Sequence, residues 1–179
     1  MKPTISQNIR VRHPDHFEVG PYSIVDDFCY FSTRVKIGAV THIASGCSVA
    51  GGSKHVFQIG DFSSLSSGVK IWCASNDFSN GLVAIFPECW EGEDTGMIEG
   101  DVIFGDYTGV GANSVVMPDN QIPEGTVIGT LSYVPPGFKF EPWSVYAGVP
   151  VRKVMVRNRG NVLRQAEWIR SSWPRNENG

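Results

Sequence analysis

The chain has 179 residues, 41% hydrophobic and 18% charged, with a formal net charge of -3; that balance fits a globular fold and excludes the disordered class. Its 15 Lys and Arg against 18 Asp and Glu give no general attraction for nucleic acid or an anionic membrane, and no apolar run approaches the roughly 20 residues a membrane helix needs. Residues 1–8 lack an apolar signal-type stretch, so the expectation is a cytoplasmic protein of one repetitive domain with a short tail.

Cys29, Cys47, Cys73 and Cys89 show neither CxxC spacing nor the crowding of a small secreted scaffold, so buried free thiols are expected. Glycine, at 20 residues, exceeds its usual share of about 7%, which calls for many turns or close backbone approaches.

From Val19 an aliphatic or aromatic residue recurs at every sixth position, through Val25, Phe31, Ile37, Ile43 and Val49. The fifth position of each unit is small, as at Ser23, Cys29, Thr41 and Cys47. After four extra residues within 50–58 the beat resumes at Ile59, Leu65 and Ile71. A second interruption spans 77–97, and Ile98, Phe104, Val110, Val116, Ile122, Ile128 and Val134 then carry the same spacing, for 16 units in all. A helix repeats apolar residues at three and four and an exposed strand at two, so a sustained six requires a short strand and a tight turn per unit. Such self-similarity marks a solenoid, in which each repeat covers its neighbour's apolar face. Further on, Val162, Leu163, Ala166 and Ile169 follow helical spacing over about 159–171, and residues 174–179 read as a frayed tail.

The unit of an aliphatic residue, then Gly, Ala, Asp or Glu, two free positions, a small residue and one more resembles the hexapeptide repeat of left-handed β-helix acyltransferases. The resemblance implies an all-β fold: a left-handed parallel β-helix of about five coils, three units to a coil, with an inserted loop and a short C-terminal α-helix. Residues 1–154 would form the β-helix, with the loop at 77–97, and 155–179 the helix and tail. Ala50-Gly51-Gly52 through Ile59-Gly60-Asp61-Phe62, Ser75-Asn76-Asp77-Phe78, Pro87-Glu88, and Gly129-Thr130-Leu131-Ser132 through Tyr146-Ala147-Gly148-Val149-Pro150 are similar to bacterial nucleotide-sugar N-acyltransferases. That similarity implies transfer of an acyl group, most often acetyl, from acyl-CoA to a nucleotide-linked amino sugar such as a dTDP-4-amino-4,6-dideoxyhexose. It implies a role in surface polysaccharide (lipopolysaccharide O-antigen) biosynthesis, a homotrimer with active sites between subunits, and no permanently bound cofactor, metal, nucleic acid or membrane partner.

Insertions in a solenoid emerge on one face, commonly the binding face, so the breaks are the places to seek specificity. The long break is rich in aromatic and apolar residues, including Phe78, Phe86 and Trp90, which argues for a folded loop. Hexapeptide acyltransferases that modify hydroxyls carry a histidine at the root of this loop; here the root reads Ser75-Asn76-Asp77-Phe78, and the four histidines, His13, His16, His42 and His55, lie elsewhere. A hydroxyl needs a placed base, whereas a neutral amine already has a nucleophilic lone pair and needs mainly orientation and oxyanion stabilisation. The acceptor is therefore expected to be an amine. By the resemblance Asp77 and Glu88 hold its amino group, Ser66 and Ser67 lie nearby, and Asn76, Phe78 and Trp90 contact the sugar. Asp77 also suits a plain turn role, and Glu88 that of a solvated loop carboxylate.

The main rival is an O-acetyltransferase acting on a sugar or xenobiotic with His55 as general base. A γ-type carbonic anhydrase is poorly served, because only His42 and His55 fall within the repeats where three histidines hold zinc. A non-catalytic scaffold is the remaining class and predicts no CoA binding. For the donor, the resemblance puts pantetheine along backbone amides at Gly111, Ala112, Thr130 and Ser132, adenine near Pro150, and phosphates at Arg152 or Lys153, where a guanidinium fork suits the job.

Overall fold

The computed structural model describes residues 1–79 and 96–172. Those residues form a parallel β-solenoid of about six turns whose three faces stack strand on strand. The first face climbs through Thr4–Ile5, Ile24–Val25, His42–Ile43, Ser64–Leu65, Gly109–Val110, Val127–Ile128 and Ser144–Gly148. The second runs through Arg10–Val11 and Lys70–Trp72 to Tyr133–Val134, and the third through Phe17–Val19 and Val102–Phe104 to Asn120–Ile122. The long strands Tyr30–Ile37 and Ser48–Ile59 each serve both the second and third faces.

The six-residue beat is the inward column of each face. Val25, Ile43, Leu65, Val110, Ile128 and Tyr146 fill the prism from the first face, Phe31, Val49, Ile71, Val116 and Val134 from the second, and Ile37, Ile59, Phe104 and Ile122 from the third; all are buried. Each such side chain contributes on the order of 1.5–3 kcal/mol by leaving water. The small fifth position turns inward at the corners and ties the coils together. Ser23 Oγ donates to Gly38 O at 2.7 Å and Thr41 Oγ1 to Gly60 O at 2.8 Å, while each hydroxyl accepts the amide one coil up, from Thr41 N at 2.9 Å and Ser63 N at 3.2 Å. Cys29, Cys47 and Cys73 are buried free thiols in this lining, and burial pushes Cys73 up to about 12. Cys89 lies outside the described residues.

Two readings of the beat need correction. The solenoid has about six turns where about five are expected, because it also includes Ile5 and Val11 at one end and continues past Val134 to Tyr146 at the other. A short 3-10 turn, Pro14–His16, shifts the first coil out of phase with the rest. Ile98 keeps the spacing but lies off the prism, in an antiparallel pair between Ala74–Asn76 and Met97–Glu99.

After the last rung the chain reverses. Val151–Val156 pairs antiparallel with Ser144–Gly148, and the helix Arg159–Ser171 then lies along the corner between the third and first faces. There Phe62, Tyr107 and Trp143 sit in the left-handed backbone region and stack, at 5.7 and 5.9 Å between ring centroids. Gly125 makes room between them, since a Cβ there would fall 2.3 Å from the Trp143 ring. Ala166, Val162 and Leu163 pack on this stack, and Arg170 lies 4.7 Å over Phe62 while donating to Tyr107 Oη at 2.8 Å. Arg157 hydrogen-bonds the carbonyls of Tyr107 and Gly125, and burial lowers its pKa from the ordinary arginine value.

Candidate active site

Both interruptions of the repeat fall at one corner, between the second and third faces. In the pairing of Tyr30–Ile37 with Ser48–Ile59, Thr33 lies opposite Gly52 and Arg34 opposite Val56, so Ser53, Lys54 and His55 are extruded from the ladder. The extruded backbone is anchored from the coil below: Thr33 Oγ1 donates to His55 O at 2.7 Å, and Arg34 Nη2 to Lys54 O at 2.9 Å. One coil further on, the chain leaves the second face after Lys70–Trp72, runs out along Ala74–Asn76, and returns along Met97–Glu99 to enter the third face at Val102.

This two-stranded stem carries Asp77 at its outer end. Asp77 N donates to Gly96 O at 2.8 Å across the stem, and its carboxylate accepts Ser79 N at 2.9 Å and Ser79 Oγ at 2.6 Å. That Asx turn fixes the carboxylate's direction, so the turn role and a chemical role for Asp77 are compatible. Asn76 pairs with Met97 in the stem, and Phe78 is 73% exposed beyond it. Glu88 and Trp90 lie outside the described residues.

The two breaks meet through side chains. His55 Nε2 is 3.3 Å from Glu99 Oε2 and its Nδ1 3.4 Å from Asp101 Oδ1, while Lys54 pairs with Glu99 on the other carboxylate oxygen. Asp101 Oδ1 also accepts Val56 N at 2.9 Å. The Nε2 approach to Glu99 is an ion-pair distance without a directed hydrogen bond. Lys54, and after it His55, hold the Glu99 carboxyl below the usual carboxylate range. With both ring nitrogens turned to carboxylates, His55 has a setting that lends no geometric support to its role as an open general base. Glu99 and Asp101 escaped the sequence reading because each stands 45 or 46 positions from its partner in the small break; the only hint was that the two breaks fall one coil apart.

Ser66 and Ser67 occupy the opposite edge of the second face, in the turn from Ser64–Leu65 into Lys70–Trp72. Within one chain the fold does not bring them to Asp77. His42 lies on the first face, its Nε2 2.8 Å from Asp26 Oδ2, while His13 caps the start of the short 3-10 turn and His16 is its last residue.

The proposed donor residues line the far end of the prism. Gly111 is small for a reason internal to the fold, since a Cβ there would lie 2.3 Å from Thr130 N of the next coil. Ser132 is buried and works as a coil staple: its hydroxyl accepts Gly148 N at 3.1 Å, and its own amide donates to Ser114 Oγ at 3.1 Å. Ala112 O accepts Leu131 N at 3.0 Å, and Thr130 is exposed at the same corner. Pro150 and Arg152 are exposed in the terminal hairpin, whereas Lys153 Nζ donates to Glu141 Oε2 at 2.6 Å. Among the described residues no cluster of three His, Cys, Asp or Glu side chains is arranged to hold a metal ion, and no helix is long and apolar enough to cross a membrane.

No protein-family profile matches the sequence. A dTDP-4-amino-4,6-dideoxy-D-glucose acyltransferase from Escherichia coli is 32% identical over 148 residues, covering 81% of this chain and 74% of that protein. The chain belongs to the hexapeptide-repeat nucleotide-sugar acyltransferase family. Among solved structures, the N-acyltransferase AntD from Bacillus cereus, in complex with dTDP and 3-hydroxybutyryl-CoA, superposes with a TM-score of 0.84 at 31% identity, covering 95% of this chain and 88% of AntD. A variant of AntD holds dTDP-4-amino-4,6-dideoxyglucose and coenzyme A, with a TM-score of 0.83 at 31% identity and coverage of 94% and 88%. A hexapeptide-repeat acetyltransferase from Vibrio cholerae shares the fold at 19% identity, with a TM-score of 0.63 over 80% of this chain and 76% of that one.

Proposed function

We propose that this protein is a CoA-dependent N-acyltransferase that acylates the amino group of a nucleotide-linked amino sugar. The observation that carries the reading is the aspartate at the root of the long insertion, Asp77, on a fold that matches nearly the whole length of an enzyme with a dTDP-amino sugar and coenzyme A bound. AntD has been solved with substitutions at a serine and an aspartate ten positions apart, the separation between Ser67 and Asp77 here.

In this reading Asp77, with Glu88, takes up the ammonium proton and orients the neutral amine toward the thioester carbonyl. Attack forms the C–N bond, the tetrahedral oxyanion collapses, and the C–S bond breaks to release the CoA thiolate, which receives the surplus proton. Asn76, Phe78 and Trp90 contact the sugar. Ser66 and Ser67 of one protomer complete the acceptor site beside Asp77 of its neighbour, which accounts for their separation within one chain and requires a homotrimer. Exposed Thr130, Pro150 and Arg152 contact the acyl-CoA, together with backbone at Gly111, Ala112 and Ser132, and Lys153 meets a phosphate after leaving Glu141. The protein works in the cytoplasm, in the biosynthesis of a surface polysaccharide such as O-antigen.

The test is incubation with acetyl-CoA and longer acyl-CoAs against a panel of dTDP-amino and dTDP-hydroxy sugars, following thiol release and product mass. Formation of an amide on an amino sugar is expected. Acylation of hydroxyl sugars with every amine left untouched would overturn the reading.

A further inference from the structure

We infer that His55, together with Lys54, Glu99 and Asp101, forms a clasp that positions the Asp77 stem, so that His55 is a positioning residue for the acceptor and not the base. The inference rests on the function proposed above and adds to it a second group of residues that set acceptor specificity.

The clasp is built from opposite sides of the same corner. On one side the extruded backbone at Lys54 and His55 is fixed from beneath by Thr33, itself buried, and by Arg34. On the other, Glu99 and Asp101 bracket the point where the chain returns to the prism. The His55 side chain is 13% exposed and sits between the two carboxylates, with Lys54 covering Glu99 from the solvent side. Removing the imidazole leaves the partly exposed Glu99 and Asp101 carboxylates facing a gap where His55 stood. Two like charges then face each other without the ring that stood between them, which loosens the root of the stem.

What the clasp holds is the return strand, and the return strand holds Asp77. Glu99 stands directly opposite Ala74, Ile98 opposite Ser75, and Met97 opposite Asn76, after which Asp77 N bonds Gly96 O. Gly100 N closes the base of the stem on Cys73 O at 2.9 Å. A two-stranded ribbon on its own is marginally stable, so its direction depends on what anchors its root. Ala74, opposite Glu99, stands three positions before Asp77, so loosening the return strand loosens the seat of the carboxylate against which the amine docks. The clasp therefore acts on how the acceptor is seated and leaves the donor, at the far end of the prism, untouched.

The experiment combines hydrogen exchange on the full chain with steady-state kinetics for His55→Ala, His55→Gln and Asp101→Asn. In His55→Ala, amide exchange in 74–79 and 96–101 should rise about tenfold while the coil rungs keep wild-type protection, because opening becomes local. KM for the amino sugar should rise about tenfold, kcat should fall less than about threefold, and KM for acyl-CoA should stay put, the signature of acceptor binding weakened in ground and transition state alike. His55→Gln, which still donates to one carboxylate, should recover part of both effects, and Asp101→Asn should reproduce the exchange change in milder form. A fall in kcat of about a hundredfold or more with exchange unchanged would make His55 the base and overturn the clasp. Unchanged exchange and unchanged kinetics would overturn it equally. If the exchange changes occur while the wild-type protein acylates no amino sugar, the clasp stands and the proposed function falls.

Discussion

Two corners of the prism handle the same repeat in opposite ways. At the corner under the C-terminal helix the hydroxyl ladder from Ser23 through Thr41 and Ser63 to Thr108 climbs without interruption, and aromatic rings stack outside it. At the corner between the second and third faces the ladder is broken in two successive coils, and Lys54, His55, Glu99 and Asp101 replace the missing backbone pairing. The contrast teaches where a solenoid can afford variation. One edge keeps register with buried hydroxyls and rings, and the other can then extrude residues whose polar side chains are available for chemistry.

The largest effect that separates the corners should come from Asp77→Asn. Activity on an amino sugar should fall by about 10²–10⁴-fold, while thermal stability and acyl-CoA binding by calorimetry stay close to wild type. An equal change at the other corner should do the reverse. Gly125→Ala places a methyl group against the Trp143 ring at a residue with φ of +71°, so it should cost about 1–3 kcal/mol in denaturant unfolding and leave the acceptor KM unchanged.

A smaller effect follows from Glu99, whose carboxyl is held low first by Lys54 and then by His55. A depressed folded value means that its stabilising contribution is present above the ordinary glutamate range and is lost as pH falls through the lowered value. The difference in thermal midpoint between wild type and Glu99→Gln should therefore be present at pH 7, shrink in the acid range below the ordinary glutamate value, and diminish with salt because the group is partly exposed. The smallest effect belongs to Lys153→Ala. Its exposed pair with Glu141 is worth about 0–1 kcal/mol, so stability should barely move and any measurable change should appear in KM for acyl-CoA.

The prism was legible in the sequence because each coil repeats one inward residue at a fixed spacing, and Val25, Phe31 or Ile59 can be placed from the pattern alone. The ends were harder to read. Pro14–His16 offsets Ile5 and Val11 from the later frame, and Ile98 keeps the frame by coincidence while standing in a stem that leaves the prism. Of the candidate site, the position of Asp77 could be read as a break in the period. The clasp could not be read, because Lys54 meets Glu99 across 45 residues and nothing local to either marks the partner. Gly111 carried a different lesson: its smallness reflects the coil above it, with Thr130 N in the way of any side chain.

The hairpin that follows the last rung also sets how long the stack can grow. Parallel coils piled in register would accept another coil at an open end, whether from the same chain or a neighbouring molecule. Here Val151–Val156 runs against the direction of Ser144–Gly148, so an arriving parallel strand meets reversed polarity on the first face. The reversed strand thereby closes that end of the first face to parallel extension.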